Sequence, residues 1–379
     1  MTANADLIGQ PGGARLLTTP ALIVDGELLE RNTRSMVELA AKAGMKLRPH
    51  AKTHKCSELG KRQIQWGASG LCCATPHEAL VMLGAGIGDL LLTAPVTQPR
   101  QASAIAAAVQ RMRQSGQPCE FSVVVDSIRG IELWEEALRG DQLQINALVD
   151  LDIGMQRTGA PDSPAAIELA TRLSASTTLK YAGVQAYSGL VQHIESFEER
   201  QRVYGTHLQK LKAVLDGLRA AGFEPAIVSG GGTGSFPIDA ASGLFNEHQA
   251  GSFVFMDVEY GRVAWGTTSM VPFDVSIWLR GHVISQNHPG MATVNLGTKS
   301  LSSDSFAPGV RGQPDWTFQF FGDEYGKLRF DGPGEPLWGK TVDFVLPHCD
   351  PTVNLHSEYH VLHGDTLAAI WPIDGRGVL

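Results

Sequence analysis

FSVVVDS, residues 121–127, is a short run of apolar residues between two segments of different character. The segment before it, residues 101–114, has helical character, and INALVDLD (145–152) after it is another apolar run. Continuous apolar strands that alternate with helices are typical of a parallel sheet covered on both faces, because both sides of each strand are then buried. The stretch therefore predicts one strand in a series of β and α units.

The same rhythm continues outward from this strand in both directions. Eight apolar runs recur, at MKLRPHA (45–51), GLCCAT (70–75), LLLTAP (90–95), FSVVVDS (121–127), INALVDLD (145–152), KYAGVQAYS (180–188), AIVSGG (226–231) and HQAGSFVF (248–255). Eight βα units over about 210 residues match a closed (β/α)8 barrel of the TIM type. An open, doubly wound sheet is the alternative.

The texture changes after residue 272. Short alternating segments, separated by Gly, Pro and Asn, occur at 273–285, 291–297, 340–348, 356–365 and 366–373. Such segments indicate a smaller antiparallel β domain. The expected organisation is an N-terminal segment (1–26) that packs with the β domain, the barrel (27–272) and the β domain (273–379), although the strand-like TPALIVDG (19–26) suits either domain.

Bulk composition excludes several classes of function. The 379 residues carry a net charge of −8, which argues against non-specific nucleic-acid binding. No apolar run approaches the roughly 18 to 20 residues of a membrane span, and the start shows no secretory signal pattern. The five cysteines form no CxxC pair, which fits reduced thiols in a cytoplasm.

RPHAKTHK, residues 48–55, concentrates cationic and imidazole side chains in an acidic protein. It follows the first barrel strand, and active sites of such barrels lie at the carboxyl ends of the strands. A lysine there is either an ion-pair partner or the amine of a Schiff base. Because Arg48, His50, His54 and Lys55 surround Lys52 in the sequence, we expect a depressed pKa for Lys52.

SGGGTGS, residues 229–235, follows the seventh predicted strand, where barrels often bind phosphate. Consecutive glycines leave N–H groups to converge on an anion, with hydroxyl donors from Thr233 and Ser235. Gly251 and Ser252, near the eighth strand, extend this cradle. A flexible turn is the alternative interpretation. A phosphate site and an activated lysine at one mouth suggest pyridoxal phosphate.

Three further residues follow barrel strands at the same face. Arg157, after the fifth strand, is either a surface charge or a partner of a cofactor ring nitrogen, which its fixed charge would keep unprotonated. Tyr187, after the sixth strand, is placed to pack on that ring or bond near it. His193, in the following loop, is a candidate base.

PHCDPTVNLH, residues 347–356, contains the candidate metal ligands His348 and Asp350. On an extended segment, side chains two apart point the same way. The pair is a partial shell for Mn2+, Mg2+ or Zn2+, completed by water, and a polar loop is the alternative. We do not expect His356 to be a third ligand.

Taken together, these motifs resemble the D-threonine aldolase family, within the alanine-racemase-like class of pyridoxal phosphate enzymes. The matching stretches are LRPHAKTHK (47–55), GLCCAT (70–75), GVQAYSGLVQH (183–193), SGGGTGS (229–235), NEHQAGSFVFMD (246–257) and HCDPTVNLH (348–356). The resemblance extends over nearly the whole chain, from TPALIVD to IWPIDGRG.

The resemblance implies a barrel plus β domain, a homodimer and cleavage of D-threonine and related β-hydroxy-D-amino acids to glycine and an aldehyde. It implies that Lys52, rather than Lys55, is the Schiff-base lysine and that Arg157 lies by the pyridine nitrogen. The glycine loop (Gly231, Gly232 and Thr233) and Gly251–Ser252 are implied at the phosphate. His348 and Asp350 are implied as metal ligands, with His193 near the metal and the substrate hydroxyl.

Two positions depart from the pattern of that family. Ala74 stands where the family usually has a glutamine, and Asn295 where it often has an aspartate. Related D-serine and 3-hydroxyaspartate dehydratases tend to carry a cysteine ligand where this chain has Asp350, so the resemblance favours the aldolases, including 3-hydroxyaspartate aldolases. A dehydratase, a racemase and a non-enzymatic pyridoxal phosphate carrier are the alternatives.

Overall fold

In the computed structural model, the residues described are 3–140, 143–266, 269–332 and 336–377. The 3-10 turns Ala5–Leu7 and Gly13–Arg15 precede strand β1 (Ala21–Asp25) and helix α1 (Gly26–Lys42). The helix begins after Asp25 because this carboxylate accepts hydrogen bonds from the N–H groups of Glu27 and Leu28.

Eight parallel strands of the described chain then form one sheet. They are β2 (Lys46–Leu47), β3 (Leu71–Cys73), β4 (Leu90–Leu92), β5 (Phe121–Val125), β6 (Ile145–Leu151), β7 (Leu179–Ala186), β8 (Ile227–Gly230) and β9 (Glu247–His248). The helices that accompany them are α2 (Ser57–Gln65), α3 (Pro76–Gly84), α4 (Pro99–Gln114), α5 (Ile128–Ala137), α6 (Ser163–Ser174), α7 (Phe197–Ala220) and α8 (Phe236–Ser242). All five residues of β5 are buried, as expected for a strand between the barrel interior and the helices.

The sheet closes on itself, which confirms the barrel and shows that the open-sheet alternative is wrong. The strand order is β2-β9-β8-β7-β6-β5-β4-β3, so β2 and β3 are its two ends. These ends meet through a parallel bridge between His50 and Cys72 and a hydrogen bond from Cys72 N to Pro49 O of 2.9 Å. The carboxyl ends of the strands therefore face one common mouth.

A second sheet makes up the predicted β domain. Its later strands are β10 (Ile277–His288), β11 (Met291–Val294), β12 (Gly309–Val310), β13 (Thr317–Phe320), β14 (Gly326–Arg329), β15 (Thr341–Val345), β16 (Glu358–His363) and β17 (Thr366–Pro372). A short helix, α9 (Cys349–Val353), lies between β15 and β16. The main path of the sheet is β13-β14-β11-β10-β1-β16-β17, and β15 joins it through β10.

Strand β1 belongs to this second sheet although it comes first in the sequence. It pairs antiparallel with β10 and parallel with β16, so this otherwise antiparallel sheet contains one parallel pair. The chain passes directly from β1 into α1. The N-terminal strand is consequently hydrogen-bonded to strands from the C-terminal part of the sequence.

Within the described ranges, we find no helix with the length and apolar character that crossing a bilayer requires.

Asn32 joins three parts of the chain and should be important for stability. Its buried amide donates to Val254 O (3.2 Å) and Asp274 O (2.8 Å), and its oxygen accepts from Asp274 N (3.1 Å). We expect Asn32→Ala to lower the free energy of unfolding by about 2–3 kcal/mol, because buried backbone groups lose their partners. Urea denaturation measures this change.

The matched control is Asn146→Ala, because the hydrogen bond that its amide makes to Glu120 is exposed and long, at 3.4 Å. This variant should stay within about 0.5 kcal/mol of the parent protein. Equal losses in both variants would contradict a joining role for Asn32.

Candidate active site

The barrel mouth contains a cavity of about 550 Å³. Nine residues predicted from the sequence line it, namely Lys52, Arg157, Tyr187, His193, Gly231, Gly232, Thr233, Gly251 and Ser252. They come from different strand ends, which parallel strands in a closed barrel bring to one place. His348 and Asp350 lie on the β domain. Asp350 adjoins the cavity because its carboxylate contacts the Lys52 amine.

Lys52 lies in the 3-10 turn Ala51–Thr53, which begins a few residues after β2. His50 begins this turn, and its Nδ1 accepts a hydrogen bond from Lys52 N (3.4 Å). The Lys52 Nζ lies 2.9 Å from Asp350 Oδ2. Lys55 is engaged elsewhere, since its buried Nζ lies 2.6 Å from Glu78 Oε1. The structure thus directs Lys52, and not Lys55, toward the cavity.

The expected depression of the Lys52 pKa is wrong. Asp350 raises the pKa of Lys52 above its usual range, more than burial lowers it. The neighbouring cations do not crowd the amine, because Arg48 pairs with Asp89 (2.6 Å) and Glu247 (2.9 Å). Residues that are close to Lys52 in the sequence therefore do not place their positive charges beside its amine.

His50 is a cavity residue whose role the sequence analysis missed. Its Nε2 lies 3.2 Å from the Thr93 hydroxyl, and that hydroxyl donates to Cys73 O. Burial, together with the charge of Lys52, lowers the pKa of His50 to about 3. His50 is therefore neutral beside the lysine at physiological pH.

The glycine loop lies between β8 and α8 at one side of the cavity. Gly231 has φ +73°, and a Cβ there would lie 2.4 Å from both Asp239 and His248. The Thr233 hydroxyl accepts from Phe253 N (3.0 Å), which joins this loop to Ser252. Among the described residues, we find no acceptor for the N–H groups of Thr233 and Ser252. These N–H groups and the open side of the loop fit an anion such as phosphate.

The expectation that the Ser235 hydroxyl is a donor in this cradle is wrong. Its buried hydroxyl donates to Asp239 Oδ2 (2.6 Å) and accepts from Gly232 N (3.1 Å). The hydroxyl thus supports the loop from behind, and its proton is committed to the carboxylate.

Arg157 and Tyr187 lie together across the cavity, with the guanidinium 5.7 Å from the ring centre. Beneath them, the buried Asp150 accepts hydrogen bonds from Thr158 Oγ1 (2.7 Å) and Gln185 Nε2 (2.9 Å). Burial raises the pKa of Asp150 to about 6, against the effect of these hydrogen bonds.

The candidate metal ligands lie at the start of α9 rather than on an extended segment. His348 is the residue before this helix, and Asp350 lies in its first turn. Although burial acts against the charged carboxylate, the ion pair with Lys52 holds the pKa of Asp350 below its usual range. The expected extended geometry is therefore wrong, although both side chains remain next to the site.

Three acidic residues that the sequence analysis did not single out surround His348. Asp304 Oδ2 lies 2.8 Å from His348 Nδ1, and Glu259 Oε2 lies 3.7 Å from the same atom. Asp257 accepts a hydrogen bond from Cys349 N (2.8 Å) and so fixes the start of the helix. Asp257 follows the last barrel strand, which could have revealed it, whereas Asp304 lies in a loop without any spacing signal.

The donor set fits a cation held by two side chains. A carboxylate on His348 Nδ1 leaves Nε2 available as a ligand, an arrangement common at metal sites. The buried Glu259 Oε2 has no hydrogen-bond partner in the described chain, so carboxylate charge is in excess here. No group of three or more His, Cys, Asp or Glu residues suited to a metal ion occurs in the described ranges. Water or substrate oxygens would therefore complete the shell.

His193 lies between this acidic cluster and the cavity. Its Nδ1 is 3.3 Å from Glu259 Oε1, and its ring centre is 6.1 Å from that of His348. Burial, with the charges of His348 and Lys52, lowers the pKa of His193 to about 4. The ring is neutral at pH 7 and can accept a proton.

The remaining residues of interest have definite places. Ala74 lines the cavity, and its N–H donates to Glu78 Oε2 (2.7 Å). Asn295 accepts from His282 N (2.8 Å) and donates to Thr19, so it links the N-terminal segment to the β domain. His356 Nε2 lies 2.8 Å from Ser300 O.

Comparison with known proteins identifies the family of this chain. The profile of the alanine racemase N-terminal domain matches residues 24–259, and that of a putative serine dehydratase domain matches residues 276–362. The chain belongs to the alanine-racemase-like family that includes D-threonine aldolase. A protein named D-threonine aldolase from Arthrobacter sp. is 34% identical over 97% of this chain and 95% of its own.

Two further similarities support membership of this family. A protein named 3-hydroxy-D-aspartate aldolase from Paracoccus denitrificans (strain Pd 1222) is 34% identical over 95% of this chain and 92% of its own. The crystal structure of D-threonine aldolase from Filomicrobium marinum superposes with a TM-score of 0.88 at 34% identity, covering 95% of both chains. The family and the fold expected from the sequence are confirmed.

The raised pKa of Asp150 predicts a specific pH dependence of stability. Because the folded pKa lies above the unfolded value, folding favours the protonated form, and this contribution is lost as pH rises from about 4 through 6. Between pH 4 and 7 the parent protein should lose about 2 kcal/mol relative to Asp150→Asn, which does not titrate. Urea unfolding at several pH values measures the difference.

Asp152→Asn is the matched control, two residues further along the chain and just after the end of β6. Asp152 is only partly buried, and hydrogen bonds from Gly154 N and Gln156 N help to lower its pKa. Its variant should not gain stability relative to the parent between pH 4 and 7. The prediction is contradicted if the parent and Asp150→Asn respond identically to pH.

Proposed function

We propose that this protein is an aldolase that depends on pyridoxal phosphate and a divalent metal and cleaves D-threonine and related β-hydroxy-D-amino acids to glycine and an aldehyde. The proposal rests on one observation. The Lys52 amine and the glycine loop line the same cavity, and Asp350 contacts that amine. Both relatives compared above are aldolases.

The cavity suits pyridoxal phosphate in its chemistry. An amine at one wall, an anion-binding loop at another and a guanidinium at a third match an aldehyde, a phosphate and an aromatic ring nitrogen. Lys52 would supply the amine, Gly231, Gly232, Thr233, Gly251 and Ser252 would bind the phosphate, and Arg157 and Tyr187 would contact the ring. When bound, the cofactor supplies an electron sink for the pair released at Cα.

The protein's own residues handle the proton of the substrate hydroxyl. A divalent cation at His348 and Asp350, either Mn2+ or Mg2+ with Zn2+ as the alternative, would make a nearby hydroxyl more acidic. His193 is neutral at pH 7 and lies beside these residues, so it is placed to take the proton. Loss of that proton would accompany cleavage of the Cα–Cβ bond.

Two other reactions are possible on this scaffold. 3-Hydroxy-D-aspartate is a second candidate substrate, because the relative named for it is as similar as the D-threonine aldolase. A dehydratase would release ammonia and an oxo acid instead, and the match to a serine dehydratase domain keeps this alternative open. We further propose a cytoplasmic homodimer without nucleic-acid or membrane partners.

The products of the reaction test the proposal directly. The purified protein with pyridoxal phosphate and Mn2+ should convert D-threonine, but not L-threonine, to glycine and acetaldehyde. Replacement of D-threonine by 3-hydroxy-D-aspartate should give glycine and glyoxylate if that substrate is preferred. Lys52→Ala should lose activity by at least about a thousandfold, whereas exposed Lys46→Ala should retain it. Ammonia as the main product from D-threonine would establish the dehydratase instead.

The metal requirement has its own test through Asp304. EDTA should abolish activity, and added Mn2+ should restore it. Asp304→Asn should raise the Mn2+ concentration for half-maximal activity by about 10- to 100-fold, because the carboxylate orients His348. The control Asp315→Asn changes an exposed carboxylate and should leave this concentration unchanged. Full activity in EDTA would remove the metal from the mechanism.

A further inference from the structure

Residues 373–377 leave β17 and pass across the turn that carries Lys52, and we call them the C-terminal strap. The Asp374 carboxylate accepts hydrogen bonds from Ser57 N (2.9 Å) and Ser57 Oγ (2.5 Å). Gly375 N donates to Lys55 O (2.8 Å). The strap therefore holds the chain at the point where the lysine turn ends and α2 begins.

The same strap also binds the helix that carries Asp350. Gly377 N donates to Asn354 Oδ1 (2.8 Å), and Asn354 ends helix α9. Gly377 O accepts a hydrogen bond from Lys55 Nζ (3.4 Å). Three of the five strap residues, Asp374, Gly375 and Gly377, thus bond to the two segments that meet in the contact between Lys52 and Asp350.

The segment between the lysine turn and α2 needs such support because part of its backbone is strained. Lys55 has φ +50°, a left-handed conformation that costs free energy for a residue other than glycine. The hydrogen bond from Gly375 and the ion pair with Glu78 act on this residue from two sides. Together they keep the turn in one conformation.

The close approach of the strap favours a glycine at position 375. A Cβ at Gly375 would lie 3.1 Å from Lys55 O and 3.4 Å from Lys55 C. An alanine there would push the lysine turn or the strap by a few tenths of an ångström. It would not remove any side chain that contacts the cavity.

We propose that the C-terminal strap sets the separation of Lys52 and Asp350, and that Asp374 and Gly375 are positioning residues for the reaction. The inference rests on the proposed function, in which Lys52 and Asp350 act at the two sides of one substrate. Neither positioning residue touches the reacting atoms. Small displacements of reacting groups lower the rate strongly, so the effect falls on kcat more than on KM.

Gly375→Ala in the full-length protein is the main test. We expect kcat to fall by about tenfold with KM changed less than about twofold. The visible circular dichroism of the lysine-bound cofactor should change, because it reports the orientation of the amine relative to the ring. Asp374→Asn, which keeps the size of the side chain, should show the same pattern if Gly375→Ala folds poorly.

Gly205→Ala is the matched control, because a Cβ at this position in α7 meets no atom within 4 Å. It should match the parent in kcat and in the dichroism of the cofactor. The inference is overturned if Gly375→Ala melts at a lower temperature yet keeps the parent's kcat and dichroism, since the strap would then only stabilise the fold.

Hydrogen exchange of the cofactor-free protein separates this inference from the proposed function. Gly375→Ala should speed exchange in both residues 51–57 and residues 349–354, whether or not the protein is an aldolase. Faster exchange in only one segment, or in neither, rejects the strap as the link. A parent protein that binds no pyridoxal phosphate would instead reject the proposed function.

Discussion

The ion pair between Lys52 and Asp350 joins the two halves of this molecule at its candidate active site. Lys52 comes from a turn at the mouth of the barrel, and Asp350 comes from a helix of the β domain, with 2.9 Å between their charged atoms. The pair raises the pKa of one group and lowers that of the other, so both are charged at neutral pH. The site depends on the correct seating of one domain on the other.

Charge distribution around this pair explains why a cation suits the site. Carboxylates gather on the β-domain side and at the last barrel loop, near His348, while Arg157 lies across the cavity. If a cofactor engages the Lys52 amine, the carboxylates lose their cationic partner. A divalent metal would then supply the missing charge, in keeping with the proposed function.

The prediction of fold from sequence succeeded where local pattern and global topology agree. The apolar runs of the barrel strands, such as FSVVVDS at 121–127, need both faces buried, and a parallel barrel provides this. The order of motifs along the chain also placed Lys52, Arg157 and the glycine loop at strand ends. Those positions converge because parallel strands all end at one mouth.

Predictions from local sequence were wrong or incomplete where a residue's partner is distant along the chain. The pKa of Lys52 depends on Asp350, nearly three hundred positions away, and not on the neighbouring cations in RPHAKTHK. Asp304 and Glu259 flank His348 without any spacing that connects them to it. The sequence predicted the Ser235 hydroxyl as a donor to an anion, but in the fold it donates to the buried carboxylate of Asp239.

The amino-acid sequence by itself determined the barrel, the following β domain and the set of side chains at the mouth, because the periodicity of each segment and the succession of segments can be read along the chain. Tertiary structure alone decided the charge of Lys52, the helical start at His348 and the pairing of β1 with β16. Each of these depends on a contact between segments far apart in the chain. Electrostatic interactions act through space, and only the folded chain sets those distances.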